Sequence, residues 1–473
     1  MNNKKLGLTP LVFLIIGSMV GAGIFGLPAE MAGNASPGAM LIGWLITGIG
    51  MIALVLVYQN LSIRRPDLNS GVFSYARAGF GDYVGFNSAW GYWISAILSN
   101  VAYCLAILNV LEFFFPGLRS NQPVIAFLCG SAIIWVVQFL ILRGVKQASI
   151  INVVVQIAKI IPILLFLTVL MFVFNFNTFT IAFWGEGLAF GSIVDQVRNT
   201  MLVTLWVFIG VEGAVVVSER AKKRKDIGRA TIIALLSALL IYIMVSMLAL
   251  GHMSQTEIMY MEHPSMAYVL GYIVGPWGAA IINLGLLISV SGAFLGWTIL
   301  ASEVLFVAAK EKLMPKFFTK ENSCGTPVTS LITTIILLQL LFIFAFISEG
   351  TYQIFYFISS TAILLPYLLS GLYGFKLAYS KETYIENPHG RRKDLIFGVL
   401  SSVYAFWLVY AAGVNYILLV TIFYAPGLIL YIKVQKENDK KLFSGPIEVA
   451  LAVLLSCAGV AAVILMTIGV ISN

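Results

Sequence analysis

The stretch GSMVGAGIF, residues 17–25, decides how this chain folds. It lies inside an apolar run from Leu11 to about Ala32, long enough to cross a bilayer as a helix. Yet it carries Gly17, Gly21 and Gly23 and no large polar side chain. Each glycine costs a helix roughly 1 kcal/mol against alanine. Two readings fit. Small residues allow close packing against a neighbouring helix, and they also allow a helix to be interrupted so that its backbone can bind something. The rest of the chain chooses between them.

The 473 residues are 60% hydrophobic and only 11% charged. A soluble core cannot use that much apolar surface, whereas a bilayer requires it. The first run is too long for the apolar core of a cleavable leader and is read as a retained span. Apolar runs near 11–32, 40–61, 84–114, 123–142, 149–174, 199–218, 230–251, 268–309, 328–347, 351–375, 395–412, 414–433 and 446–470 predict about 13 (12–13) transmembrane helices. Some are long enough to hold a tilt or a non-spanning turn. With the N-terminus cytoplasmic, 26 of the 29 Lys and Arg fall in the N-terminus and the even-numbered connections. Arg119 and Arg198 lie outside, and Lys159 lies within a span. The net charge of +8 is therefore a positive-inside bias, and the partners are membrane lipid rather than nucleic acid. The orientation of the thirteenth helix stays open. Cys104, Cys129, Cys324 and Cys457 are scattered, three of them in apolar segments, which supports neither a disulfide framework nor a metal site.

The sixth span repeats the opening pattern. LWVFIGVEGAVVVSERAKKRKD, residues 205–226, sets Gly210 and Gly213 around the acidic Glu212. Two glycine-interrupted helices five spans apart predict an inverted repeat, about 11–174 against 199–378. That repeat falls within residues 1–378, and further apolar runs follow over 379–473. Backbone groups freed at membrane depth must line a cavity or be buried in protein. Glu212 and Lys159 are costly charges, since a charge at a helix centre costs about 2.5–3.5 kcal/mol on insertion scales. Both are read as functional, with a structural ion pair or hydrogen-bond anchor as the alternative.

GSMVGAGIF, GFNSAWGYWISAILSNVAY (85–103), TLWVFIGVEGA (204–214), GWTILASEVLFVAAKEKLMPKFF (296–318) and FISSTAILLPY (357–367) occur in this order. Together they make the chain resemble the amino acid–polyamine–organocation superfamily, in particular its basic amino acid/polyamine antiporters. The resemblance implies an all-α, LeuT-like five-plus-five fold with broken helices 1 and 6, working by alternating access in the cell membrane. It implies exchange of a cationic amino acid for a related amino acid or amine, without a cofactor. Arginine against ornithine comes first. Agmatine/putrescine, lysine/cadaverine and histidine/histamine exchange stay open, as does proton-coupled symport, and a homodimer is left open too.

The resemblance also assigns residues. Met19, Gly21, Ala22, Gly23 and Ile24 match the unwound stretch that binds the α-amino and α-carboxylate groups. There, N–H groups at a helix start attract a carboxylate and exposed carbonyls attract an ammonium. Relatives with G-S-G at this place have a hydroxyl where this chain has Ala22, which leaves room for a substrate without a carboxylate. Trp206 matches the aromatic that closes over substrate, Ile209 a carbonyl facing the amine, and Trp297 an aromatic beside the cationic tail. In the third span Tyr92, Ala96, Asn100 and Tyr103 share a helical face by spacing. Asn100 offers an acceptor and donors, for a substrate tail or for a neighbouring helix. Ser359 and Ser360 match a tail position, with Ser360 taken as the site residue. Lys159 matches the place where sodium-coupled relatives hold a cation, and Glu212 matches an acid linked to gating and pH response.

Two rival classes are weaker. A membrane enzyme would need a catalytic cluster, but His252, His263 and His389 lie in separate loops without H-E-x-x-H or a nucleophile motif. A membrane sensor would need a soluble relay domain, and no such stretch is present among these apolar runs.

Overall fold

The structure, a computed structural model, describes residues 7–68, 70–144, 155, 158–187, 189–212, 224–348, 351–385 and 387–470. The first span is two helices, α1 (Leu8–Met19) and α2 (Leu27–Ala32), joined by a 3-10 turn over Gly23–Phe25. Then come α3 (Pro37–Arg64), α4 (Val72–Phe80), α5 (Asp82–Phe114), α6 (Pro123–Leu142), α7 (Ile160–Val173) and the short α8 (Phe176–Phe179). The second half opens with α9 (Ile193–Trp206), α10 (Arg224–Leu248), α11 (Gln255–Met259), α12 (Ser265–Val274) and α13 (Pro276–Lys310). It continues with α14 (Val328–Ile347), α15 (Tyr352–Ala362), α16 (Leu364–Ser380), α17 (Arg391–Tyr424), α18 (Gly427–Glu437) and α19 (Pro446–Thr467).

Among the described residues, nine helical stretches are long and apolar enough to cross a membrane. Several turn large apolar side chains outward: Leu128 and Phe139 on α6, Leu340 and Phe344 on α14, Leu454 and Ile464 on α19 are all exposed. Such surfaces belong in lipid, not in water. The chain is an all-helical, multi-pass membrane protein.

Where the helices break, the cause is local. The predicted eighth span, 268–309, is two helices, because Gly275 takes φ 91° and Pro276 starts the next one. The predicted tenth span ends one helix at Ala362 and begins another at Leu364. Gly413, at φ 72° and ψ 166°, interrupts α17 between the predicted spans 395–412 and 414–433. The hydropathy pattern misses α4 altogether. Nine residues are too few to cross, and glycines at φ 103° and 100° bound the helix at Gly71 and Gly81. It lies close on α16, where a Cβ at Gly79 would sit 2.8 Å from the Tyr373 ring.

The described chain divides into two compact units. One comprises Met1–Ile52, Tyr103–Ile133 and Lys146–Gly296, the other Ala53–Ala102, Ile134–Val145 and Trp297–Asn473. In the second unit α5 is anchored at its start. Asp82 accepts from Arg77 at 2.8 Å and from Lys440 at 2.6 Å, and the buried Glu448 of α19 accepts the Ser444 N–H at 2.6 Å and the Tyr83 N–H at 3.4 Å.

Candidate functional site

In the first unit the α1 helix stops at Met19 because Val20 turns extended, at φ −72° and ψ 94°. Helical bonding resumes only with the Phe25 N–H to the Ala22 carbonyl at 3.1 Å. The break leaves carbonyls that α1 no longer uses, and side chains from other elements take them. The Lys159 ammonium donates to the Gly17 carbonyl at 2.7 Å and to the Val20 carbonyl. The Ser289 hydroxyl of α13 donates to the Gly21 carbonyl at 3.3 Å. Lys159 is buried and immediately precedes α7.

The second break faces the first within this unit. α9 ends at Trp206; the Val207 carbonyl that it frees accepts the Tyr242 hydroxyl at 2.8 Å. Gly210 takes φ 105°, which favours glycine, and its N–H donates to the Glu212 carboxylate at 3.2 Å. The companion Gly213 lies outside the described residues, as do Arg220, Lys222, Lys223 and Lys146 of the predicted basic connections. Trp206 packs onto the first break, with Gly23 leaving the space that its indole fills. Tyr103 stands beside it, ring centroids 5.9 Å apart, and a Cβ at Gly21 would lie 3.6 Å from its hydroxyl. Met19, Ala22, Ile24, Trp206, Ile209 and Glu212 are all buried.

The second unit holds the other predicted residues. Tyr92 and Trp297 stack, with ring centroids 6.3 Å apart at 30°. Asn100 donates its amide to the Thr298 hydroxyl at 3.0 Å, while its carbonyl oxygen Oδ1 is buried with no partner among the described residues. The two serines of FISSTAILLPY separate here. Ser359 is spent on the protein: its hydroxyl bonds the Ser95 carbonyl at 2.8 Å and lies 2.8 Å from the Ser99 hydroxyl. Ser360 Oγ is buried with no partner among the described residues. Ala96 is fully buried on the Tyr92–Asn100 face of α5. An unpaired buried polar oxygen costs roughly 1–3 kcal/mol, so each of the two can take a hydrogen-bond partner.

Sequence reasoning passed over Ser289, Tyr242 and Thr298, which hold these groups in place. The available signal was weak: single hydroxyls in apolar helices, a pattern shared by many residues that only cap their own backbone.

The comparisons with known proteins concern the chain as a whole. The amino acid permease family profile matches residues 6–443. An arginine/ornithine antiporter of Pseudomonas aeruginosa is 44% identical over 468 residues, covering 98% of this chain and 97% of its own. Arginine/agmatine antiporters of Chlamydia caviae and Chlamydia pneumoniae are 37% and 38% identical, covering 98% and 99% of this chain and 97% and 98% of theirs. A match of this extent settles the family: the chain belongs to the amino acid permease family.

Proposed function

We propose that this protein is a secondary exchanger of cationic amino acids in the plasma membrane, with its N-terminus in the cytoplasm and arginine/ornithine antiport as its reaction. The observation that carries the reading is the pair of buried, unpartnered oxygens Asn100 Oδ1 and Ser360 Oγ, in the unit where Tyr92 and Trp297 stack. Acceptors and aromatic faces recognise a guanidinium or ammonium tail. The backbone of Met19, Gly21, Ala22, Gly23 and Ile24, with Ile209, takes the amino-acid end, and Trp206 and Tyr103 close over it. The similarity to an arginine/ornithine antiporter over nearly the whole chain supports the choice of pair.

Lys159 supplies the fixed cation between two carbonyls of the first break, and Glu212 gates the second break. The broken first and sixth spans belong to an inverted repeat, about 11–174 and 199–378, and residues 379–473 are peripheral. A second reading has one observation in its favour. Ala22 offers no hydroxyl to a carboxylate, which suits exchange with an amine such as agmatine.

Purified protein in sealed liposomes tests this. Labelled arginine should enter vesicles loaded with ornithine and not empty ones. Uptake into empty vesicles at the same rate would refute exchange. Faster exchange against internal agmatine than against ornithine would select the second reading.

A further inference from the structure

Gly26 is the corner where the 3-10 turn hands the chain to α2. Its carbonyl accepts the Ser265 hydroxyl at 3.0 Å and the Glu30 N–H at 3.1 Å, and Ser265 accepts the Ala29 N–H at 3.1 Å. The space that a side chain at position 26 would need is taken by two ionisable groups. A Cβ there would lie 2.7 Å from Cδ2 of His263 and would collide with Oε1 of Glu30. Carboxylate and imidazole are therefore neighbours across one position. Both Glu30 oxygens and both His263 nitrogens are shielded from solvent, although another part of the His263 residue reaches the surface. The ring also interacts with the backbone of Ala22, inside the first break. Nothing in the exchange reading uses this pair.

We propose that Glu30 and His263 form a positioning pair which holds Ala22 of the first break, and that a second proton on the pair weakens binding of the substrate ammonium. The proposal rests on the reading that the backbone of residues 19–24 binds the α-ammonium. With one proton between them, the two groups are neutral overall. That state suits a buried site, where an uncompensated charge is expensive. A second proton leaves one positive charge beside the Ala22 backbone, and a substrate ammonium there meets like charge.

Burial holds the His263 imidazole below the usual histidine range, at about 4, so the second proton arrives only in acid. Among the described residues, Lys159, Glu212 and Tyr103 are ionisable groups at the two breaks. The elements packed on α2 add Asp195 and Arg198 from α9, Arg229 and Tyr242 from α10, Glu257 from α11 and Tyr268 from α12. Glu262 adjoins His263 in the connection and is exposed. These groups are common to wild type and variants, so a comparison isolates the pair.

The test is the KM for arginine in liposomes between pH 6 and pH 3.5, for wild type, His263→Gln and Glu30→Gln. A site protonating near pH 4 that excludes substrate raises KM about four-fold over this range. Wild type should show that rise above whatever His263→Gln shows. Glu30→Gln keeps a neutral group beside the imidazole, as the protonated carboxyl does, and should leave the rise at the same pH or move it upward. Parallel profiles in wild type and His263→Gln would overturn the pair, even if the variant were uniformly weaker, because a merely structural role does not change the pH dependence. If His263→Gln fails to fold, the Glu30→Gln profile decides the matter: a rise that moves to lower pH than in wild type would overturn the pair. Argininic acid, which lacks the α-ammonium, separates the pair from the backbone site. If it competes as well as arginine at pH 7, the backbone reading itself has failed. If it competes poorly and the profiles are parallel, only the Glu30–His263 proposal has failed.

Discussion

A side chain at position 23 and the indole of Trp206 cannot occupy the same space. A Cβ on Gly23 would lie 2.5 Å from Cδ1 and 2.8 Å from Nε1 of Trp206, and 2.9 Å from Cγ1 of Val207. The glycine that interrupts the first span is thus the seat of the ring that ends α9. Gly23→Ala should displace that ring at a cost of about 1–3 kcal/mol, as overpacking does. Trp206→Leu should weaken arginine binding several-fold, since a cation–π contact contributes about 0.5–2 kcal/mol. Calorimetry on both variants and the double variant checks the relationship. The two substitutions should be less than additive in the double variant, because the leucine relieves the clash with the indole and leaves only that with Val207. Unchanged binding in folded Trp206→Leu would remove Trp206 from the site.

Lys159 bridges the Gly17 and Val20 carbonyls. Exchange in liposomes should therefore need no sodium gradient. Lys159→Ala should lower the exchange rate more than it lowers arginine affinity, because the ammonium organises the break rather than touching substrate. Lys159→Arg should restore only part of the rate, since a planar guanidinium fits a compact ammonium site poorly. Sodium-dependent exchange in wild type, or a normal rate in Lys159→Ala, would contradict this.

Asn100 uses its donor on Thr298 and keeps its acceptor. Asn100→Leu should raise the KM for arginine roughly ten- to hundred-fold, since a hydrogen bond to a charged group contributes about 1.5–3 kcal/mol. Ser360→Ala should act in the same direction and less strongly. Thr298→Val removes only the internal partner, so it should lower thermal stability more than affinity. The opposite ranking would make Asn100 an interhelical anchor.

Cys324 is exposed in the connection between α13 and α14, which also carries Lys312, Lys316 and Lys320. A membrane-impermeant maleimide should reach it only from the cytosolic face. Engineered cysteines within 219–229, a stretch that begins outside the described residues, should behave alike. Labelling from the outer face alone would invert the assigned topology.

At the end of the same helix, burial raises the Glu311 carboxyl above its ordinary value, and Arg77 only partly offsets this. The folded protein then holds this proton more tightly than the unfolded chain does. Stability should fall as pH rises from about 4.5 through the folded pKa, and stay lower above it. Glu311→Gln should flatten that decline in thermal unfolding measured in detergent between pH 4 and pH 8. A wild-type curve parallel to the variant's would count against it.

How much of this was legible before the structure depends on what signal each residue carries. Three glycines at residues 17–25 also suit close helix packing; the interruption was legible because the sixth span repeats the pattern at Gly210 and Gly213. The division at Gly275 was hidden because hydropathy is continuous across it; only the Gly-Pro pair marked the spot. Nor could the pattern reveal α4, a helix too short to register as a span. Ser359 and Ser360 look alike in sequence, and only hydrogen bonding separates the serine that staples α5 from the one whose hydroxyl meets no partner among the described residues. Glu30 and His263 were invisible as a pair, for more than 230 residues lie between them and their meeting depends on the missing side chain of Gly26.

The Lys159 ammonium is joined to the chain by covalent bonds, so it never travels with the cargo. A diffusible ion in that place would cross with each cycle and add its own charge to the current. The tethered one adds nothing. The charge that this cation contributes per turnover is zero, which leaves the membrane potential to act on the difference between the two exchanged molecules. One-for-one exchange of arginine for ornithine, two monocations, would be electrically silent, whereas exchange for a dicationic amine would move one elementary charge. The presence or absence of a current in a voltage-clamped membrane would thus read out the charge of the returning substrate.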